Sequence, residues 1–173
     1  MAAAGIIYGS STGNTEKVAV KIAAGLQGHF KTEVIDIAGV GKIDPGRFDL
    51  LFIGTSTWGI GKLQEDWELW LPMLEEEKLE GLPVAFFGLG DQDAYPETFC
   101  DGMGILYSHF SRKGTRQLGL WDAEGYDFES SKALTGRRFV GLALDEDNQQ
   151  GLTDTRVNGW LGKVLEEFRM RLE

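Results

Sequence analysis

Near its start the chain reads Ala3-Ala4-Gly5-Ile6-Ile7-Tyr8-Gly9-Ser10-Ser11-Thr12-Gly13-Asn14-Thr15. Residues 3–9 predict a buried strand, because they form a short apolar run bounded by Gly-Ser-Ser. Residues 16–28 predict a helix, because apolar side chains recur at helical spacing, at Val18, Ala19, Ile22, Ala23 and Leu26. A strand, a hydroxyl-rich loop and a helix therefore follow one another with almost no spacer.

The loop at 10–15 is rich in hydrogen-bond donors. Its polar side chains precede a helix N-terminus, whose free backbone N–H groups bind anions. It contains no Lys, and it has neither the Gly-x-x-x-x-Gly-Lys-Ser/Thr pattern of nucleoside triphosphatases nor the Gly-x-Gly-x-x-Gly pattern of dinucleotide folds. A single phosphate held by neutral donors fits this loop best. The alternative is that a Ser or Thr side chain merely caps the helix.

Strands and helices alternate along the rest of the chain. Further strands are predicted at 32–37, 48–54, 82–88 and 139–144, and further helices at 66–77, 98–113 and 152–172. The strands are apolar on both faces, as in a parallel sheet covered by helices on both sides. The sequence therefore predicts an α/β fold. The segment 118–138 breaks the alternation, and we interpret it as an excursion before the fifth strand is complete.

Two further loops are unusual in composition. They read Thr55-Ser56-Thr57-Trp58-Gly59-Ile60-Gly61 and Gly88-Leu89-Gly90-Asp91-Gln92-Asp93-Ala94-Tyr95-Pro96. Ligands of open α/β sheets bind at the carboxyl ends of the strands, where all three loops meet. A phosphate cradle together with the aromatic rings of Trp58 and Tyr95 predicts a flat, conjugated, monophosphorylated ligand. Taken singly, Trp58 has the alternative of a packing anchor, and the last loop that of a solvated turn.

Length and charge narrow the function classes. The 173 residues fit a single domain, 1–173, and no stretch approaches the roughly 18 apolar residues that span a bilayer. The first residues lack the features of a signal or transit peptide, so the cytoplasm is the expected compartment. The net charge of −10 argues against binding to nucleic acid or to an anionic membrane, and permits a basic protein partner. Solubility alone is the alternative explanation of that charge.

The sequence gives little indication of a metal site or a disulfide bond. Cys100 is the only cysteine, so no disulfide forms within the chain. The two histidines, His29 and His109, lie far apart and show no ligand spacing. We therefore expect no metal site and no catalytic residues.

Together, these motifs resemble those of flavodoxins. Residues 10–15 match the Thr/Ser-x-Thr-Gly-x-Thr signature of that family. Residues 57–61 are similar to its second loop, whose Trp stacks on the flavin ring, and residues 88–92 with Tyr95 are similar to its third loop, whose Tyr covers the opposite face. Residues 125–129 and 139–147 resemble the long-chain branch, in which an insertion splits the last strand.

The resemblance implies a fold, a cofactor and a function. The fold is a flavodoxin-like three-layer sandwich, with a five-stranded parallel sheet of order 2-1-3-4-5, helices on both faces and an insertion splitting the last strand. The function is low-potential one-electron transfer between redox partners through non-covalently bound flavin mononucleotide (FMN), using its semiquinone/hydroquinone couple. The protein is then a carrier and not an enzyme. Residues implied to contact FMN are Ser10, Ser11, Thr12, Gly13, Asn14, Thr15, Ser56, Thr57, Trp58, Gly59, Ile60, Gly61, Leu89, Gly90, Asp91, Tyr95 and Asp147.

The resemblance also implies partners and leaves one enzymatic alternative open. The partners are redox proteins such as a ferredoxin/flavodoxin-NADP reductase and low-potential acceptor enzymes, and the expected state is a monomer. An FMN-dependent NAD(P)H:quinone reductase shares the fold and is the alternative. A phosphorylated signalling receiver is disfavoured, because Gly54-Thr55 and Gly9-Ser10 stand where it needs acidic residues. Ser56 and Lys62 depart from common family usage, where Pro and an acidic residue are frequent.

Overall fold

A mostly parallel sheet with helices on both faces forms the centre of the protein. The computed structural model describes residues 1–74 and 77–170. The strands are β1 (Ala3–Gly9), β2 (Lys31–Asp36), β3 (Leu50–Trp58), β4 (Lys62–Leu63), β5 (Pro83–Leu89), β6 (Arg116–Leu118), β7 (Trp121–Asp122), β8 (Leu134–Thr135), β9 (Arg138–Phe139) and β10 (Leu142–Leu144). The helices are α1 (Asn14–Leu26), α2 (Glu65–Leu74), α3 (Asp101–Ser111) and α4 (Thr153–Met170), with short 3₁₀ turns at Pro45–Arg47 and Gln150–Leu152.

The strands of the main sheet follow the order β2-β1-β3-β5-β10, and all of these pairs are parallel. Strand β6 pairs with the amino-terminal half of β5, whereas β10 pairs with its carboxyl-terminal half. Strands β6 and β10 are therefore two halves of one fifth strand, separated by residues 119–141. The predicted fold, with an insertion that splits the last strand, is confirmed.

The predicted strands 32–37 and 82–88 are each shifted by one residue in the structure, and two others differ by more. Strand β3 begins at Leu50 and continues to Trp58, because β4 turns back and pairs with its end. The predicted fifth strand at 139–144 is divided: Arg138–Phe139 joins a small antiparallel sheet of order β7-β9-β8, and only Leu142–Leu144 joins the main sheet. Phe139 packs against Tyr126 and Phe128 of the insertion and against Phe99, contacts that a period of two does not reveal.

The predicted helices 16–28 and 98–113 differ from the observed ones by two or three residues at each end. Helix α1 starts at Asn14, because Gly13 adopts a positive φ of 93° and forms the N-cap. Helix α3 starts only at Asp101, since Cys100 lies in the left-handed region with a φ of 55°. The predicted helices at 66–77 and 152–172 also cover 75–76 and 171–172, which lie outside the described residues.

Each face of the sheet has its own core, because alternate side chains of a strand point to opposite faces. On one face Ile53 and Phe86 pack with the fully buried Trp67 of α2 and Phe110 of α3. On the other, Ile6, Phe52 and Phe87 pack with Val18 and Ile22 of α1 and the fully buried Trp160 of α4. Because helices cover both faces, the carboxyl edge of the strands is the expected place for a ligand. Among the described helices, none combines the length and the apolar character that crossing a membrane needs.

Candidate functional site

A cleft of about 340 Å³ opens at the carboxyl edge of the sheet, within the range of small-molecule and cofactor sites. All three predicted loops contribute to it. Its lining residues are Thr12, Asn14, Thr15, Ser56, Thr57, Trp58, Gly59, Leu89, Gly90, Asp91, Tyr95, Thr98, Glu146 and Asp147. Of the residues expected to contact the cofactor, the structure does not place Ser10, Ser11, Gly13, Ile60 and Gly61 in this lining. The sequence analysis missed Thr98 and Glu146.

The first loop shapes a helix N-terminus that faces the cleft. The N–H of Gly13 donates to the Ser10 hydroxyl oxygen at 3.1 Å, so Ser10 supports the loop from within. Gly13 offers no side-chain cap to α1, and the positive φ of this residue turns the chain directly into the helix. The first backbone N–H groups of α1 are thus left for an anion, beside the side chains of Thr12, Asn14 and Thr15.

A buried glutamine fixes the same loop from behind. The Gln64 side chain, 1% exposed, donates through Nε2 to Ser11 Oγ at 3.1 Å and to Asp66 Oδ2 at 2.6 Å. Its Oε1 accepts the N–H of Trp67 at 3.3 Å, which ties the amide to the start of α2. A Cβ at Gly9 would lie 2.3 Å from this oxygen, so only glycine fits there. The sequence did not single out Gln64, because an ordinary polar residue before a helix would show the same local pattern.

Two large aromatic side chains in the cleft are only partly covered by protein. Trp58 is 40% exposed and Tyr95 is 46% exposed. The Trp58 ring is held by its Nε1, which donates to Ser56 Oγ at 2.9 Å, and the backbone at Tyr95 is held by its N–H, which donates to the Asp91 carbonyl oxygen at 2.9 Å. Ser56, which departs from family usage, therefore has a definite role in orienting Trp58. Half-covered rings in a concave site offer their faces to a flat ligand.

The second loop is a tight hairpin at the end of β3. Trp58 and Lys62 form the closing antiparallel pair, and the turn between them holds Gly59 and Gly61 at φ values of 50° and 78°. Ile60 at the tip is 85% exposed and is not among the residues that line the cleft. Side chains rarely adopt such φ values, which explains the glycines on both sides of this tip.

The third side of the cleft is acidic and rests on a buried carboxylate. Asp145 is fully buried, and its oxygens accept the N–H and Nε2 of Gln92 and the N–H and Nδ2 of Asn148. Asn148 Nδ2 also donates to Asp91 Oδ1 at 2.8 Å, so one amide joins the two loops. Partial burial, with Asp91, Asp145 and Glu146 nearby, raises the pKa of Asp147. The pKa of Asp91 is lowered, mainly by the hydrogen bond from the Ala94 N–H.

The donor set of the cleft suits a phosphate on an aromatic molecule better than a metal ion. Its lining carries neither Lys nor Arg, and the anion site consists of neutral donors at a helix N-terminus. Within residues 1–74 and 77–170, no group of three His, Cys, Asp or Glu side chains could hold a metal ion. The arrangement offers one phosphate cradle, two ring faces and an acidic rim.

Comparison with known proteins decides the family. The flavodoxin family model matches residues 6–160. A flavodoxin of Synechococcus elongatus is 42% identical over 168 residues, covering 97% of this chain and 99% of that protein. Flavodoxin 1 of Escherichia coli is 43% identical over 171 residues, covering 98% and 97%. The chain belongs to the flavodoxin family. A Fusobacterium nucleatum flavodoxin, solved with bound flavin mononucleotide, superposes with a TM-score of 0.91 at 32% identity, covering 97% of this chain and 99% of that one.

Removal of the Asp145 carboxylate should destabilise this flavodoxin strongly. Asp145→Ala leaves the buried N–H and Nε2 of Gln92 and the part-buried N–H of Asn148 without this acceptor. We expect the free energy of unfolding of the cofactor-free protein to fall by roughly 3 kcal/mol or more. Asp93→Ala, at an exposed position of the neighbouring loop after β5, is the matched control and should change it by less than about 0.5 kcal/mol. Urea unfolding of both variants measures the difference. Equal stabilities would contradict the buried role of Asp145.

Proposed function

We propose that the cleft holds FMN without a covalent bond, with its phosphate at residues 10–15 and its ring between Trp58 and Tyr95. The observation that carries this assignment is the pairing of a neutral anion site with two half-exposed aromatic rings in one cleft. When bound, FMN supplies one-electron chemistry, and the protein supplies binding and electrostatics. Flavodoxins are electron carriers rather than enzymes, and this family member is an FMN-based electron transfer protein.

The side chains around the cleft have separate tasks. Thr12, Asn14, Thr15 and the first N–H groups of α1 bind the phosphate, whereas Trp58 and Tyr95 cover the ring and exclude water from it. Asp91, Glu146 and Asp147 make further negative charge in the cleft unfavourable, which keeps the second reduction potential low. Small changes in the electrostatic field of these carboxylates alter the reduction potential, because roughly 59 mV of a one-electron potential corresponds to about 1.4 kcal/mol.

Titration of the cofactor-free protein with FMN tests the assignment. We expect one FMN per chain and strong quenching of flavin fluorescence, because both ring faces are stacked on aromatic side chains. Steady-state assay of the loaded protein with NADH and a quinone tests the reductase alternative, and turnover by the protein alone would favour that enzyme. Absence of saturable FMN binding would contradict the proposal.

The partners we propose are redox proteins with basic surfaces, such as a ferredoxin/flavodoxin-NADP reductase, and low-potential acceptor enzymes. The net charge of −10 and the acidic cleft rim support this choice, since complementary charge speeds encounter. Exposed Trp58, Ile60 and Tyr95 at the same edge give such a partner an apolar contact beside the ring. We further propose that the protein acts in the cytoplasm, as a monomer.

Electron transfer to such a reductase should slow as salt concentration rises. Charge steering weakens once the Debye length falls to about 10 Å, near 0.1 M ionic strength, so the second-order rate should drop steeply there. Stopped-flow measurement at several ionic strengths gives the slope. Asp93→Asn, close to the cleft, should flatten it more than Asp49→Asn at the opposite edge of the sheet, although both remove one charge. A rate independent of salt would point to apolar docking.

A further inference from the structure

A buried carboxylate lies behind the cleft wall, outside the site described above. Asp101 is the first residue of α3 and is only 3% exposed. Its Oδ1 accepts the backbone N–H of Lys132, in the insertion, at 2.7 Å. Burial raises the pKa of this carboxyl, and the bond and charge of Lys132 oppose that effect only in part.

The other carboxylate oxygen faces the hairpin that follows Trp58. A Cβ placed on Gly61 would lie 2.7 Å from Asp101 Oδ2 and 3.2 Å from the Cβ of Thr98. Thr98 itself lines the cleft. The carboxylate is therefore separated from the cleft by a single layer of the protein, made by the hairpin and Thr98.

The N-terminus of α3 holds this carboxylate in place. The N–H of Gly102 donates to Thr57 Oγ1 at 2.9 Å, and a Cβ at Gly102 would lie 2.7 Å from the Ser56 carbonyl oxygen. Helix α3 therefore rests directly on the two residues that precede Trp58. With its surroundings packed this closely, the side chain has little freedom to move out into water, where its charge would be screened.

Its place in the first turn of α3 lets the helix dipole stabilise the negative charge of Asp101 in part. An Asn side chain would accept the same N–H from Lys132 through its oxygen, without the penalty of a desolvated charge. A charge kept in a poorly solvated place acts over a longer range than an exposed one, because fewer waters and ions screen it. The ligand cleft is the nearest functional feature on which it could act.

We propose that Asp101 sets the second reduction potential of the carrier from behind the hairpin, an inference that rests on the proposed function. The first electron from the donor protein enters together with a proton from solvent, which leaves the net charge of the cleft unchanged. The second electron adds one negative charge, and it leaves again to the acceptor protein; no bond of the chain forms or breaks. The Asp101 carboxylate repels that added charge, so it lowers the second potential and leaves the first nearly unchanged.

Comparison of Asp101→Asn with Asp49→Asn in the FMN-loaded protein tests this inference. Asp49 is the matched control, because it is an exposed carboxylate that also accepts one backbone N–H, from Ala3 at 2.8 Å, at the opposite edge of the sheet. We expect Asp101→Asn to bind the fully reduced cofactor about ten-fold more tightly relative to the one-electron state, a rise of about 59 mV in the second potential. Asp49→Asn should move neither potential by a comparable amount. Spectroelectrochemical titration measures both potentials.

Three outcomes would overturn the inference. Equal second potentials in the two variants would show that Asp101 exerts no special field. Equal shifts of both potentials, with weaker binding of oxidised FMN and lower stability in urea, would show that Asp101 only supports the fold. Failure of the parent protein to bind FMN would remove the proposed function as well, and so is distinguishable from the other two. If Asp101→Asn does not fold, Asp101→Ser gives the same comparison of charge.

Discussion

Riboflavin, which lacks the phosphate, should bind at least about 100-fold more weakly than FMN, because several charge-assisted hydrogen bonds are lost. We base this expectation on the loop at 10–15, which presents a helix N-terminus and the side chains of Thr12, Asn14 and Thr15 to the cleft. Fluorescence titration of the cofactor-free protein with each flavin measures the ratio. Equal affinities would show that the phosphate lies elsewhere.

A threonine variant makes the same test specific to the loop. Thr15 is buried, lines the cleft and lies in the first turn of α1, and Thr15→Val replaces its hydroxyl with a methyl group. We expect FMN to bind about ten-fold more weakly to this variant, as for loss of one hydrogen bond to a charged group. Binding of riboflavin should hardly change. If both flavins weaken equally, the substitution acts through the fold and not through the phosphate.

Trp58→Ala and Tyr95→Ala should each weaken FMN binding by roughly 1–3 kcal/mol, the range measured for bases stacked on aromatic side chains. Both rings are about half exposed in a concave site, and Trp58 Nε1 already donates to Ser56 Oγ. Fluorescence titration of each variant gives the loss. Leu69→Ala removes an exposed apolar side chain of α2 outside the cleft and should leave the affinity unchanged. If both aromatic variants bind FMN as tightly as the parent, the ring lies elsewhere.

Much of the fold could be predicted from local patterns. The alternation of apolar runs with helical periods predicted the parallel sheet, and the loops after β1, β3 and β5 follow as its carboxyl edge. The bounds near 139–144 were wrong, because Phe139 is held by aromatic contacts with Phe99 and Tyr126, far away in sequence. Periodicity in the sequence shows which residues are apolar, but it does not show which of the two sheets they join.

The candidate site likewise contains residues that the sequence could predict and residues that it could not. Side chains that line the cleft stand in loops of unusual composition, so Trp58 and Tyr95 could be singled out from the sequence. The groups that hold those loops are single polar residues whose partners lie far along the chain. Gln64 contacts Ser11 across 53 positions and Asp145 contacts Gln92 across 53, and such pairs leave no local signal.

A redox titration of the FMN-loaded protein tests the central claim, a single-electron carrier, most directly. With the aromatic rings and the acidic rim described here, we expect two well-separated one-electron reductions, the second at the lower potential by more than about 59 mV, a ten-fold difference in equilibrium constant. Optical and paramagnetic-resonance spectra recorded during the titration count the electrons in each step. A single two-electron reduction, accompanied by NADH:quinone turnover of the protein alone, would contradict the account.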